Sequence, residues 1–291
     1  MHPGATVRRL SAVLGLAAML AGCSGAAATP ASTATATPSP TPPPVTVTHP
    51  GAMPVAGTPP TDDQPWFLTV GDSVTSGYTV DPARAAVNSS WALQLEPLLA
   101  ATGRHWSLYD TACPGERTTT YFTLCPGRAA VPFLASTSQH DAALAAVTAH
   151  HASLKAIFVE LGSNDVLDAR GAAATITAVE STLRTNLTRI VTELQAAAPG
   201  VPVILCNFFN PFANTDPSTR GAATTLNAFL ADLARSLKTK LADFAAAIDT
   251  STAVPDPTLC TYVDCAHGDI HPTVAGHAAL ARAALAALGP A

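Results

Sequence analysis

Charge is scarce in this chain of 291 residues: Asp, Glu, Lys and Arg together make up 12%, and the formal net charge is -5. No run of Lys or Arg appears. That excludes the basic stripe with which proteins neutralise a phosphate backbone, so no nucleic-acid partner is expected. Long apolar runs are lacking too, outside the extreme N-terminus; nothing later approaches the ~20 consecutive apolar residues of a spanning helix. No internal repeat is evident. The Cys and His spacings match no closed zinc site, and no metal or other cofactor is expected.

What is present begins with a three-part N-terminus. Arg8 and Arg9 precede an apolar stretch over residues 10–20, and Leu20-Ala21-Gly22-Cys23 follows. A basic start, a short apolar core and small residues before a cut describe a secretory signal. With Cys directly after the small residues, the segment resembles a bacterial lipoprotein signal. That resemblance implies cleavage after residue 22 and a lipid on the Cys23 thiol. Residues 23–64 then read as a tether: they are rich in Ala, Thr, Pro and Ser, which cannot bury a core and favour an extended chain. Residues 65–291 are the expected folded domain, long enough to bury a core. The expected location is outside the cytoplasm, on the bacterial membrane through the lipid, or secreted.

Export suits the remaining cysteines. Cys113 and Cys125 are close in sequence in a loop-like segment, and so are Cys260 and Cys265, so two local disulfides are expected. Cys206 lies in an apolar run and reads as a buried free thiol.

From Trp66 onward, strands and helices alternate. Strands are expected at 67–70, 106–109, 156–161, 201–207 and 245–249. Helices are expected at 91–101 after cap candidates Asn88, Ser89 and Ser90, and at 140–151, 172–198, 224–240 and 273–288. Alternation of this kind predicts a parallel sheet covered by helices on both faces, with ligands beyond the C-terminal strand ends.

Four separated segments together could perform acyl transfer. A serine hydroxyl needs a base to take its proton, and the reaction needs donors for the oxyanion. Gly71-Asp72-Ser73 ends the first strand and exposes a hydroxyl. Gly115, in Ala112-Cys113-Pro114-Gly115-Glu116, lets a backbone N–H approach closely. Gly162-Ser163-Asn164-Asp165 offers a side-chain N–H. Asp269-Ile270-His271-Pro272-Thr273 precedes the last helix, and Pro272 suits that helix's first turn.

These segments resemble the four blocks of the SGNH, or GDSL-type, hydrolase family, in order and over residues 66–288. The resemblance implies a flavodoxin-like three-layer α/β/α sandwich with a five-stranded parallel sheet and no metal. It implies Ser73 as nucleophile, His271 as base, and Ser73 N–H, Gly115 N–H and Asn164 Nδ2 as oxyanion donors. The family often has an Asp three residues before the His; here Gly268 stands there and Asp269 lies two before. Either Asp269 or the Gly268 carbonyl would then orient the imidazole. Asp264-Cys265-Ala266-His267 has the three-residue spacing literally, which makes His267 a rival base.

The other candidates have plainer readings. Asp264, His267, Asp269 and His271 mix ligand types at short spacing, but a metal there would leave Ser73 and Asn164 without purpose. Asp72 and Asp165 read as hydrogen-bond partners of their turns. His105, His140, His150 and His151 read as solvated, and His277 as facing the second cysteine loop or solvent. Trp66, Trp91 and Trp106 read as packing residues; Phe208, Phe209 and Phe212 could line an apolar pocket. The expected function is a carboxylesterase or lipase-like serine hydrolase, acting as a monomer on small-molecule, lipid or acylated-glycan esters. The alternatives are an envelope polysaccharide O-deacetylase and a non-catalytic binding lipoprotein on the same fold.

Overall fold

A computed structural model of the chain describes residues 60–85, 89–171 and 175–290. The signal segment, Cys23, nearly all of the tether and Asn88 lie outside the described residues. The elements, in chain order, are β1 (Trp66–Gly71), α1 (Ser73–Ser76), α2 (Pro82–Ala85), α3 (Trp91–Ala101), β2 (Ser107–Asp110), α4 (Gln139–His150), β3 (Leu154–Glu160) and α5 (Ser163–Gly171). There follow α6 (Ile176–Ala197), β4 (Val203–Cys206), α7 (Thr219–Ser236), β5 (Lys240–Ala242), α8 (Phe244–Ile248), α9 (Leu259–Tyr262) and α10 (Val274–Leu288).

All four strand pairings are parallel, in the order β2-β1-β3-β4-β5. Parallel strands are buried on both faces, which is why the central ones read as continuous apolar runs. Alternate side chains feed separate cores. Trp66, Leu68, Val70, Ile157, Val159, Val203 and Leu205 pack under α4, α6 and α7. Phe67, Ala156, Phe158, Ile204 and Cys206 pack under α3, α8, α9 and α10. The result is the expected three-layer α/β/α sandwich on a five-stranded parallel sheet. Among the described residues, no helix is long and apolar enough to cross a membrane.

The chain steps from β1 outward to β2, then returns to the other side of β1 as β3. This reversal opens a crevice at the C-terminal strand ends, where such sheets bind ligands. The segments carrying Ser73, Gly115 and Asn164 follow β1, β2 and β3 in turn.

Two expectations need correction. Residues 245–249 are not the fifth strand: α8 occupies 244–248, and the edge strand is Lys240–Ala242. Asp243 caps α8 by accepting from Ala246 N–H, and an Ala run favours helix once it is capped. His277 faces neither solvent nor the second cysteine loop: it is buried, and its Nδ1 accepts the Trp91 N–H at the start of α3 (3.2 Å). Burial pushes its imidazole down to about 3, which keeps it a neutral acceptor. Helix α5 was also unforeseen, and α7 begins and ends earlier than expected, at Thr219–Ser236.

Both local disulfides are formed, Cys113–Cys125 and Cys260–Cys265, and Cys206 is a buried free thiol. Trp66 and Trp91 are core residues. The Trp91 ring packs edge-on against Phe158 and Phe244, and its Nε1 donates to Thr75 Oγ1 (3.2 Å), so α3 is anchored beneath the Ser73 turn.

Candidate active site

Ser73 opens α1 immediately beyond β1. Asp72 caps that short helix, its Oδ1 accepting from Val74 N–H at 2.8 Å, and Gly77 ends it in the left-handed region. Gln139 steadies the approach: its amide accepts from Gly71 N–H (2.8 Å) and donates to Gly71 O (3.0 Å). The residue two before the serine thus has both backbone polar groups bound by one buried side chain.

His271 arrives from the opposite end of the sequence. Its loop is closed by Asp264 N–H donating to His271 O (3.0 Å) and Thr273 N–H donating to Tyr262 O (2.8 Å). Thr273 then caps α10 through Gly276 N–H. The imidazole Nε2 stands 2.9 Å from Ser73 Oγ, and Nδ1 stands 2.5 Å from Asp269 Oδ1. Asp269 Oδ1 also accepts from His271 N–H, and Oδ2 accepts from Val80 N–H. Burial opposes charge on Asp269, but the His271 imidazole and these N–H donors outweigh it and hold the carboxyl below its ordinary value. An ionised carboxylate only accepts, so Nδ1 carries the proton and Nε2 presents its lone pair to the Ser73 hydroxyl.

The Nδ1 partner is therefore Asp269. His267 lies elsewhere: its Nδ1 meets Asp264, and its side chain is half exposed. Asp165 accepts from Thr118 N–H and Oγ1, a structural partnership as expected, although across loops rather than within its own turn.

The donors expected for an oxyanion border the same crevice. Cys113-Pro114-Gly115-Glu116 forms a turn closed by Glu116 N–H on Cys113 O (3.0 Å), with Gly115 at φ 78°. Positive φ after Pro defines a type II turn. Among the described residues, neither Ser73 N–H nor Gly115 N–H donates a hydrogen bond. Asn164 differs. Its Nδ2 donates to Asp72 Oδ2 (3.1 Å) and to Glu116 O (2.9 Å), so both hydrogens are engaged. It can hold an oxyanion only by sharing or exchanging one of them.

Beneath these groups lies a cluster of carboxyls that sequence reasoning missed. Glu160 ends β3 and is buried; it accepts from Thr75 Oγ1 (2.9 Å) and Ser163 Oγ (3.2 Å) and is hydrogen-bonded to Asp72. Burial raises both members of the pair. Asp72 has N–H donors that favour its charge, so the shared proton resides on Glu160. Glu116, buried and near the Asp72 charge, is pushed up to about 7.

Two more neighbours were missed. The Tyr78 ring packs edge-on against His271, with centroids 4.9 Å apart. Arg84 pairs with Asp264 (2.5 Å) and donates to Pro272 O, fastening the strap on both sides of His271. The one signal for Tyr78 is its position directly after the Ser73–Gly77 turn. No local pattern marks Arg84.

A hydroxyl, an imidazole and a carboxylate in line at the crest of an all-parallel sheet place the chain in the class of three-layer α/β/α hydrolases. The chain belongs to the GDSL-like lipase/acylhydrolase family, whose model matches residues 69–279. It is accordingly an ester-hydrolysing enzyme. No curated protein matches it in sequence. Among solved structures, a GDSL-like lipase from Parabacteroides merdae superposes with a TM-score of 0.55 at 15% identity, over 79% of this chain and 99% of that one. Axe2, an acetylxylan esterase from Geobacillus stearothermophilus, gives 0.52 at 19% identity, over 79% and 97%. The lipase Lip_vut3 from a goat rumen metagenome gives 0.51 at 17%, over 77% and 97%. At these identities the structural likeness speaks for the fold.

Proposed function

We propose that the protein is a serine esterase that works through an acyl-enzyme on Ser73. The observation carrying this reading is the unbroken row from Ser73 Oγ through His271 to Asp269, at 2.9 and 2.5 Å. Ser73 attacks the ester carbonyl as its proton passes to His271 Nε2. Asp269 holds the resulting imidazolium. Ser73 N–H, Gly115 N–H and an Asn164 N–H receive the oxyanion. Collapse expels the alcohol, which takes the proton from His271. Water then attacks the acyl-enzyme by the same route and releases the acid.

The test is a panel of nitrophenyl esters of increasing acyl length, with Ser73→Ala as control and a fluorophosphonate probe to mark the nucleophile. Labelling of Ser73 and loss of turnover in Ser73→Ala are expected. Full turnover without the hydroxyl ends the reading. The same site would serve O-deacetylation of an envelope polysaccharide, so acetylated oligosaccharides belong in the panel. Higher kcat/KM on these than on short nitrophenyl esters would assign that substrate class. A non-catalytic binding role needs a degenerate site, and Ser73, Asn164 and His271 are all retained.

The lipid on Cys23 and a place outside the cytoplasm belong to the same proposal. The signal-like N-terminus and the two disulfides support them, because disulfides persist in oxidising compartments. Release of the Cys23→Ser protein into the medium is the expected outcome.

A further inference from the structure

The tripeptide Cys-Pro-Gly occurs twice, at 113–115 and 125–127, and the disulfide joins the two copies. Each copy makes a β-turn with the residue that follows it. Glu116 N–H closes the first on Cys113 O (3.0 Å), and Arg128 N–H closes the second on Cys125 O (3.2 Å). Yet the turns differ. Gly115 has φ 78°, whereas Gly127 lies outside the left-handed region, so only the first is type II. Turns of types I and II differ by a flip of the central peptide, and with it of the central N–H. One tripeptide adopting both forms means that its own residues do not decide the flip. What surrounds the tripeptide does, and for the first copy that includes the second.

The contact between the copies is visible. A Cβ built on Gly127 would stand 2.4 Å from Pro114 O and 3.2 Å from Pro114 C. The bare Cα of Gly127 therefore seats the Pro114 carbonyl. In a trans peptide the carbonyl and the following N–H point in opposite directions, so fixing Pro114 O fixes the Gly115 N–H. We infer that Gly127 is a positioning residue: its missing side chain lets the Pro114–Gly115 peptide hold the orientation that turns the Gly115 N–H toward the oxyanion. The inference rests on the esterase reading above. The disulfide to Cys125, two residues before Gly127, keeps the second turn from backing away. Arg117, donating to Gly115 O (3.1 Å), steadies the next peptide. The ordinary φ of Gly127 makes this a clean site to probe, because Ala there brings a steric conflict with Pro114 O and no left-handed strain.

The experiment uses the full chain with nitrophenyl acetate, and kcat is normalised to sites titrated by fluorophosphonate. Gly127→Ala is expected to lower kcat by about tenfold or more, short of the ~10²–10³ for outright loss of an oxyanion donor. KM should stay near the wild-type value. A trifluoromethyl ketone, which binds as an oxyanionic adduct, should weaken in parallel; Tm falls as well, because the conflict is with backbone. A structural role alone would lower Tm and leave kcat per titrated site intact. Wild-type kcat in Gly127→Ala, with Ser73→Ala inactive, overturns the inference and leaves the esterase reading standing. Turnover surviving in Ser73→Ala overturns both. If Gly127→Ala does not fold, Gly115→Ala probes the same peptide from its other side. Its methyl has room, with Pro126 Cβ at 3.7 Å, but L-residues disfavour φ 78°. The same kcat loss at unchanged KM supports the orientation argument, and unchanged kcat overturns it.

Discussion

Two Asp–His pairs sit in one short loop, and they differ in almost everything but composition. Asp264 and His267 have the three-residue spacing, a hydrogen bond of 2.9 Å and a half-exposed imidazole. Asp269 and His271 are two residues apart, joined at 2.5 Å, and both side chains are nearly buried. The second pair meets Ser73; the first meets Arg84. Spacing alone is therefore a poor guide to which pair meets Ser73. The two-residue spacing works because Asp269 Oδ1 folds back over its own loop and takes both the backbone N–H and the Nδ1 proton of His271. This is the local turn habit of Asp. The three-residue pair is committed instead to holding the strap, with Asp264 between an arginine and a histidine.

The contrast can be broken at several places. His271→Ala should have the largest effect, a loss of kcat on the order of 10³-fold or more with the fold retained, as expected for losing a general base. Near-normal turnover there, with inactivity in His267→Ala, would reverse the assignment of the pairs. Asp269→Asn should come next, with kcat down well over tenfold, because the amide can favour the wrong tautomer. A loss of only a few-fold would hand the orienting role to the Gly268 carbonyl. Arg84→Met should cost less: it frees the strap around Pro272 and leaves Asp264 with one partner fewer. A several-fold fall in kcat with a lowered Tm is expected, and an unchanged pH–rate profile would deny it any influence on His271. His267→Ala should be smallest, with kcat within about twofold.

The pH dependence of that last variant sharpens the comparison. The hydrogen bond and charge of Asp264 raise the His267 imidazole above 6.5. A base raised in the folded state contributes stability that is fully present below its unfolded value and lost as pH rises through the folded one. The Tm deficit of His267→Ala should thus be seen below pH 6.5 and vanish as pH rises past the raised folded value, small throughout because the pair is exposed. Glu116 loses stability in the same direction of pH, but because a charge forms rather than because one is lost. Burial raises this acid from 4.5 to about 7, so its ionisation opposes the fold as pH climbs between those values. Glu116→Gln should flatten that decline in Tm.

The legible parts of the molecule share a property: their cause is local. The central strands β1, β3 and β4 are apolar runs because both faces are covered, and that pattern survives in any short window. Ser73, Gly115 and Asn164 follow strand ends, and His271-Pro272-Thr273 opens a capped helix, so each carries a local signature. The edge strand β5 is only three residues long, and its neighbour Phe244–Ile248 is equally apolar. Periodicity could not separate them; the cap at Asp243 did. Gly-Ser-Asn-Asp at 162–165 reads as a turn, which hid α5. The unforeseen site neighbours act across long separations. Gln139 binds Gly71 from 68 positions away, and Arg84 reaches Asp264 across 180. Such partnerships exist only once the sheet has assembled.

The 198 positions between Ser73 and His271 carry a consequence for the protein's own birth. At ~5–20 residues per second, the serine is added to the chain ~10–40 s before the histidine. Helix α10, which follows that histidine, is then secured by Trp91 N–H on His277, Arg104 on Gly289 O and Lys240 on Leu288 O. Until it docks, a growing chain exposes the Ser73 hydroxyl without its imidazole partner. Translation itself thus holds the hydrolytic activity back until synthesis has run past the final helix.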